Sequence, residues 1–226
     1  MKRGGASTGR ATAGLVLLHG RGGSADDMLT LGVSLALPAV ALLAPEAHGR
    51  SWWPTSFLAP LTELGPWLEH GLDAVMRAVA ELEGDGLPRH AISVCGFSQG
   101  GCLALEFAAR HGGDLSAVFG FSAGLIGTAD TNGEARDDLY GHRPKRFDYT
   151  SDLTKLAVDM SCHEHDPHIP LARFEESAAQ LRRLGARVAR RIYPGTGHAI
   201  TRDDVTALRS HLNRGASITE PPNADA

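Results

Sequence analysis

Gly96-Phe97-Ser98-Gln99-Gly100 lies between the apolar run Ala91-Ile92-Ser93-Val94-Cys95 and the apolar-periodic stretch Cys102-Leu103-Ala104-Leu105-Glu106-Phe107-Ala108. In order this is a strand, a sharp turn and a helix, with a serine at the apex. A Gly-x-Ser-x-Gly turn in that setting is a nucleophile elbow. The turn forces the serine into a strained backbone conformation, and a Cβ at either flanking glycine would collide where strand and helix cross. The serine hydroxyl is thereby lifted to the carboxyl end of a sheet.

The segments around the elbow supply that sheet. Short apolar runs occur at 14–19, 39–44, 91–95, 116–121, 156–160 and 188–193. Continuous runs of this length fit strands covered on both faces, as in parallel sheets. The last run alternates more, as an edge strand would. Between them, Leu64, Trp67, Leu68, Leu72, Val75, Met76, Val79 and Leu82 recur at helical spacing. Residues 99–111, 171–184 and 202–213 behave likewise, and Gly185 ends the helix at 171–184 as a C′ glycine. Strand–helix alternation predicts an α/β fold, a mostly parallel sheet with helices on both faces. One domain is expected over 14–214, after an N-terminal tail (1–13) and before a disordered C-terminal tail (215–226). Neither a repeat nor a linker divides it. Residues 45–65 and 124–151 fit neither pattern, and long irregular loops of this kind usually carry function or are disordered.

The composition narrows the class further. The chain has 226 residues, a net charge of −4 and a pI near 6.2, which argues against a nucleic-acid partner. Its three cysteines, Cys95, Cys102 and Cys162, are odd in number and lack metal-type spacing, so a reduced, cytoplasmic protein is expected. No apolar run approaches the ~20 residues that span a bilayer, so integral membrane association is not expected. Lys2 and Arg3 precede no apolar stretch before Leu15, which is unlike a signal peptide.

A serine hydroxyl needs a base, and the base needs an orienting acid. Asp166 follows the strand at 156–160, and His198 follows the strand at 188–193 in Pro194-Gly195-Thr196-Gly197-His198. Ligands of open parallel sheets bind beyond the carboxyl ends of the strands, so Ser98, Asp166 and His198 should meet at one edge. Their order along the chain is that of α/β-hydrolases. The glycine-rich turn Leu17-Leu18-His19-Gly20-Arg21-Gly22-Gly23 is placed to supply an oxyanion donor, the Arg21 amide, beside that of Gln99; His19 should brace this turn. His163, His165 and His168 beside Asp166 offer a rival metal site. Their spacing does not match the His-x-His-x-Asp-His pattern of metal-dependent hydrolases, so no metal is expected.

With these residues in view, the chain resembles the phospholipase/carboxylesterase family of small α/β-hydrolases, which includes acyl-protein thioesterases. The likeness is carried by the turn at 17–23 and by Ala44-Pro45-Glu46-Ala47 with Ser51-Trp52-Trp53-Pro54. It continues through Gly96-Phe97-Ser98-Gln99-Gly100-Gly101, Asp166-Pro167-His168-Ile169-Pro170 and Tyr193-Pro194-Gly195-Thr196-Gly197-His198-Ala199-Ile200. The resemblance implies the same triad, oxyanion amides from Arg21 and Gln99, and no cofactor. The arginine in the His-Gly-Arg-Gly-Gly turn is more like a bacterial branch of general esterases than eukaryotic acyl-protein thioesterases. A carboxylesterase acting on small ester substrates, with short acyl chains preferred, is the expectation. Thioesterase, lysophospholipase and dienelactone-type activities with the same triad stay open, as does a non-catalytic binding protein. Trp52, Trp53 and Phe57 are expected to wall the acyl pocket, while a mobile flap at 124–151 and a homodimer are left open.

Overall fold

The computed structural model describes residues 1–217. The strands are β1 (Lys2–Gly5), β2 (Ala13–Leu18), β3 (Val40–Ala44), β4 (Ile92–Phe97), β5 (Ala117–Phe121), β6 (Ala129–Asp130), β7 (Lys145–Arg146), β8 (Ala157–His165) and β9 (Arg187–Thr196). The α-helices are α1 (Ala25–Ser34), α2 (Leu61–Gly84), α3 (Gln99–His111), α4 (Leu171–Arg183) and α5 (Arg202–Ser217). Seven strands form one sheet in the order β1-β3-β2-β4-β5-β8-β9. All neighbours run parallel except β1, which pairs antiparallel with β3.

Side-chain alternation along β2 explains the two covered faces. Leu15 and Leu17 pack with Ala25 and Met28 of α1 and with Leu208 and Leu212 of α5. Val16 and Leu18 face the opposite way, toward Val75 and Val79 of α2, Leu103 and Phe107 of α3 and Phe174 of α4. Each large apolar side chain buried in this way contributes about 1.5–3 kcal/mol. Gly32 lets α1 lie close on the sheet: a Cβ there would come within 2.8 Å of Leu17 and Leu42 side-chain atoms.

Several expectations need correction. Residues 2–5 are not tail but the antiparallel edge strand β1, and Lys2 and Arg3 tie it down through Asp26, Glu81 and Asp85. Helix α1 has no counterpart in the periodicity, because its buried face is only Ala25, Met28 and Gly32. Trp67 does not join the apolar face of α2; it is 42% exposed. Strand β8 continues to His165, so the histidine-dense stretch is strand rather than loop. Residues 215–217 continue α5, and the rest of the expected C-terminal tail lies outside the described residues. Among the described residues, no helix is long and apolar enough to cross a membrane.

Partial desolvation makes three histidines sensitive to acid. His111, His142 and His211 titrate below the usual imidazole range, because burial disfavours the cation and Arg110, Lys145 and Arg214 respectively repel it. Between those lowered values and the unfolded value near 6.5, the unfolded chain binds more protons. Stability present above that pH should therefore drain away as the pH falls through the window. The urea midpoint should drop between pH 7.5 and pH 5.5, and a level or rising midpoint would contradict these environments.

Candidate active site

Ser98 is where the elbow was expected, between β4 and α3, at φ 54° and ψ −120°. The flanking glycines are enforced by backbone. A Cβ on Gly96 would lie 2.1 Å from the Gly100 carbonyl oxygen, and one on Gly100 would lie 2.3 Å from that of Leu18. The two positions are where the strand passes the helix and where the helix passes β2.

The segments after β8 and β9 bring the other two partners, Asp166 and His198, to this edge. His198 Nε2 is 2.8 Å from Ser98 Oγ, and its Nδ1 is 2.8 Å from Asp166 Oδ2 and 2.9 Å from Oδ1. Asp166 is buried, and burial alone would raise its pKa. The hydrogen bond from His198 and the backbone N–H groups of His168 (2.9 Å) and Ile169 (3.1 Å) outweigh that, and hold the carboxyl below the ordinary carboxylate range. The His198 ring is bracketed by Phe97 at 5.0 Å and by the edge of His168 at 4.7 Å between centroids. Glu164, the other nearby carboxylate, accepts the Gly195 N–H at 3.1 Å and is exposed.

The turn after β2 packs directly against the elbow: a Cβ on Gly20 would lie 3.3 Å from Ser98 Cβ. Among the described residues, neither the Arg21 nor the Gln99 backbone N–H has an acceptor, and both residues line the cavity around Ser98. His19 braces the turn: its Nδ1 reaches the Gly20 carbonyl at 2.7 Å and its Nε2 accepts the Ala47 N–H at 3.0 Å. The cavity is about 530 Å³, and its lining includes Trp53, Phe57, Phe97, Cys102, Ile169 and His198. The Cys102 thiol is pushed up to about 12 by burial, so it stays protonated and is a wall rather than a reagent.

The aromatic segment divides into different roles. Trp53 and Phe57 line the cavity. Trp52 does not; it stacks on His19 at 5.1 Å and donates its indole N–H to the His19 carbonyl at 2.9 Å. The expectation that Trp52 walls the pocket is corrected: its polar edge has a backbone partner behind the turn, so it braces instead.

Some functional contacts were not apparent in the sequence. The Gln99 side chain donates to the Trp53 carbonyl at 2.7 Å and accepts the Trp52 N–H at 2.8 Å. Arg21 Nη1 donates to the Pro54 carbonyl at 2.7 Å, and its Nη2 donates to that of Thr55. The Tyr140 hydroxyl, from the 124–151 segment, donates to the Asp166 carbonyl at 2.5 Å. Behind His198, buried Asp204 collects Arg191, Tyr193 and the Thr201 N–H at 3.1, 2.8 and 2.8 Å, anchoring the start of α5. The histidines of the metal alternative are not gathered. His163 packs on Tyr193 and His168 on His198, and no group of three or more candidate ligands is close enough to hold an ion among the described residues.

A sheet of this order with such an edge is that of an α/β-hydrolase of the esterase and thioesterase kind. Residues 14–216 match the dienelactone hydrolase family, and the chain belongs to it. A phospholipase/carboxylesterase from Dyadobacter fermentans superposes with a TM-score of 0.81 at 34% identity, over 94% of this chain and 95% of that one. Lysophospholipase-like protein 1 of Mus musculus is 24% identical over 91% of this chain and 87% of its own length. A putative esterase of Nocardia uniformis subsp. tsuyamanensis is 36% identical over 42% of this chain, which spans only 28% of that protein.

Proposed function

We propose that the chain is a carboxylesterase that works through a serine acyl-enzyme. The observation that carries this reading is the unbroken hydrogen-bond chain from Asp166 through His198 to Ser98. Ser98 Oγ attacks the ester carbonyl while His198 Nε2 takes its proton. The carbonyl oxygen, now negative, turns toward the free amides of Arg21 and Gln99, donors of a kind that typically supplies about 2.7–4 kcal/mol each in the transition state. His198 then hands the proton to the leaving alcohol, and a water activated by the same ring releases the acid. Asp166 holds the imidazole with Nδ1 protonated throughout. Nothing in this sequence of steps calls for a cofactor.

A fluorophosphonate tests the reading cheaply. Stoichiometric labelling at Ser98, with matching loss of p-nitrophenyl acetate hydrolysis, supports it. No labelling would favour a non-catalytic binding protein. Matched oxygen and sulfur esters separate esterase from thioesterase, since the attack needs the same residues in both.

The acyl preference is proposed to be short, because Phe57, Cys102 and Ile169 help close the cavity in which Ser98 sits. Phe57→Ala should lengthen it. Each methylene that gains apolar cover adds about 0.8 kcal/mol, roughly fourfold in kcat/KM. A panel of p-nitrophenyl esters should therefore show the optimum of Phe57→Ala moved to longer chains, with acetate hydrolysis little changed. Trp52→Ala should lower stability without moving the optimum. A wild-type rate that climbs steadily through long chains would reject the short pocket and bring a lysophospholipid-sized ester forward.

A further inference from the structure

Tyr140 reaches out of the 124–151 segment and donates its hydroxyl to the main-chain carbonyl of Asp166 at 2.5 Å. We propose that Tyr140 is a positioning residue, fixing the main chain of Asp166 so that its carboxylate meets His198 Nδ1. The proposal rests on the reading of Ser98, Asp166 and His198 as a triad. It gives a working part to a segment that supplies none of those three residues.

Three observations carry it. Asp166 is fully buried, and among the described residues the Tyr140 hydroxyl is the only donor to its carbonyl. A buried carbonyl left unpaired is costly, which favours the conformation at 166 that Tyr140 can reach. The carboxylate of the same residue is tied separately: Oδ1 accepts the N–H groups of His168 and Ile169, and Oδ2 is 2.8 Å from His198 Nδ1. A shift of the Asp166 main chain is therefore a shift of its carboxylate against the imidazole.

The second observation is that core packing does not explain Tyr140. It is 48% exposed, and its backbone sits at φ 54° and ψ 41°, a left-handed conformation uncommon for a tyrosine. Its hydroxyl has the Asp166 carbonyl as its one partner among the described residues. Burial and the nearby Asp166 carboxylate raise its pKa, so it remains a donor at neutral pH. The third observation is that the segment is anchored on both sides of Tyr140. Buried Glu106 of α3 accepts the Tyr149 hydroxyl at 2.7 Å and the Ile126 N–H at 2.9 Å. The buried Lys145 ammonium donates to the Ala59 carbonyl at 2.5 Å and lies 2.7 Å from Asp130. Arg136 reaches Glu176 of α4 at 3.1 Å. Tyr140 is thus held from three directions and can serve as the fixed partner of Asp166.

The test pairs Tyr140→Phe, which keeps the ring and removes the donor, with Thr128→Val. Thr128 Oγ1 donates to the Arg146 carbonyl at 2.7 Å, so the second variant loses a hydrogen bond of the same segment that does not reach Asp166. Tyr140→Phe should lower kcat on p-nitrophenyl acetate about tenfold with KM within about twofold, whereas Thr128→Val should stay within about twofold in both. The ring ¹⁵N shifts of His198, read in full-length protein at alkaline pH, give a second readout. The proton should sit on Nδ1 in the wild type and be shared with Nε2 in Tyr140→Phe, because an imidazole without a fixed acceptor takes up both tautomers. The proposal falls if Tyr140→Phe keeps its kcat, if the loss lies in KM, if Thr128→Val loses as much, or if the tautomer of His198 does not change. The tautomer can also be read in a Ser98→Ala background. A shifted tautomer in a protein that fluorophosphonate fails to label would sink the esterase reading and leave the positioning role standing.

Discussion

Ser98→Ala is expected to lower kcat by about 10⁶, the scale on which loss of a serine nucleophile is felt when the triad acts as a unit. The substitution removes one hydroxyl whose partner is His198 Nε2 at 2.8 Å. It leaves the turn itself intact, because the tight approaches are made by Gly96 and Gly100. Alanine at φ 54° is no worse placed than serine, since both carry a Cβ. The circular dichroism spectrum and unfolding midpoint should therefore stay near the wild type while p-nitrophenyl acetate hydrolysis falls to background. Turnover near the wild-type rate by a natively folded variant would dispose of the acyl-enzyme.

Asp166→Asn should cost about 10⁴ in kcat, for a reason visible in the site. Oδ1 of Asp166 accepts the backbone N–H groups of His168 and Ile169, both of which can only donate. An asparagine must turn its carbonyl to those two amides, which leaves its NH₂ facing His198 Nδ1. The imidazole must then accept at Nδ1 and carry its proton on Nε2, where it can no longer take one from Ser98. Glu164→Gln is the control. That carboxylate holds only the Gly195 amide, at the exposed end of β9, and its loss should change kcat by less than about threefold. A larger effect at Glu164 than at Asp166 would reverse the assignment of the acid.

The parts of the fold that could be read in the sequence are those in which one physical demand dominates. Strands buried on both faces must be continuously apolar, and β2, β3, β4 and β5 have buried patterns that match this reading. Strand β1 escaped because Lys-Arg-Gly-Gly has no such pattern; it is held by pairing to β3 and by ion pairs made far along the chain. Helix α1 left a signal that periodicity does not weigh. Ser24 and Asp27 form a reciprocal cap, a spacing that can mark a helix start even when its apolar face is thin. The approach of Ser98, His198 and Asp166 agrees with the strand-order reasoning. The split between Trp52 and Trp53 was not legible, because adjacent residues of the same type differ only in which backbone carbonyl or cavity their rings meet.

The side chains of Arg21 and Gln99 have a consequence for anyone who would re-engineer this protein. Each grips the 51–57 segment by its carbonyls and also lines the cavity around Ser98, where its main-chain amide is proposed to act as an oxyanion donor. Selectivity and reactivity are thus wired through the same two positions. Transplanting a foreign loop in place of 51–57 would unseat two amides along with the wall, unless Arg21, Gln99 and the loop travel as one cassette. Diversity libraries confined to Phe57 and Ile169 avoid that wiring, since neither of them touches either anchor through a hydrogen bond.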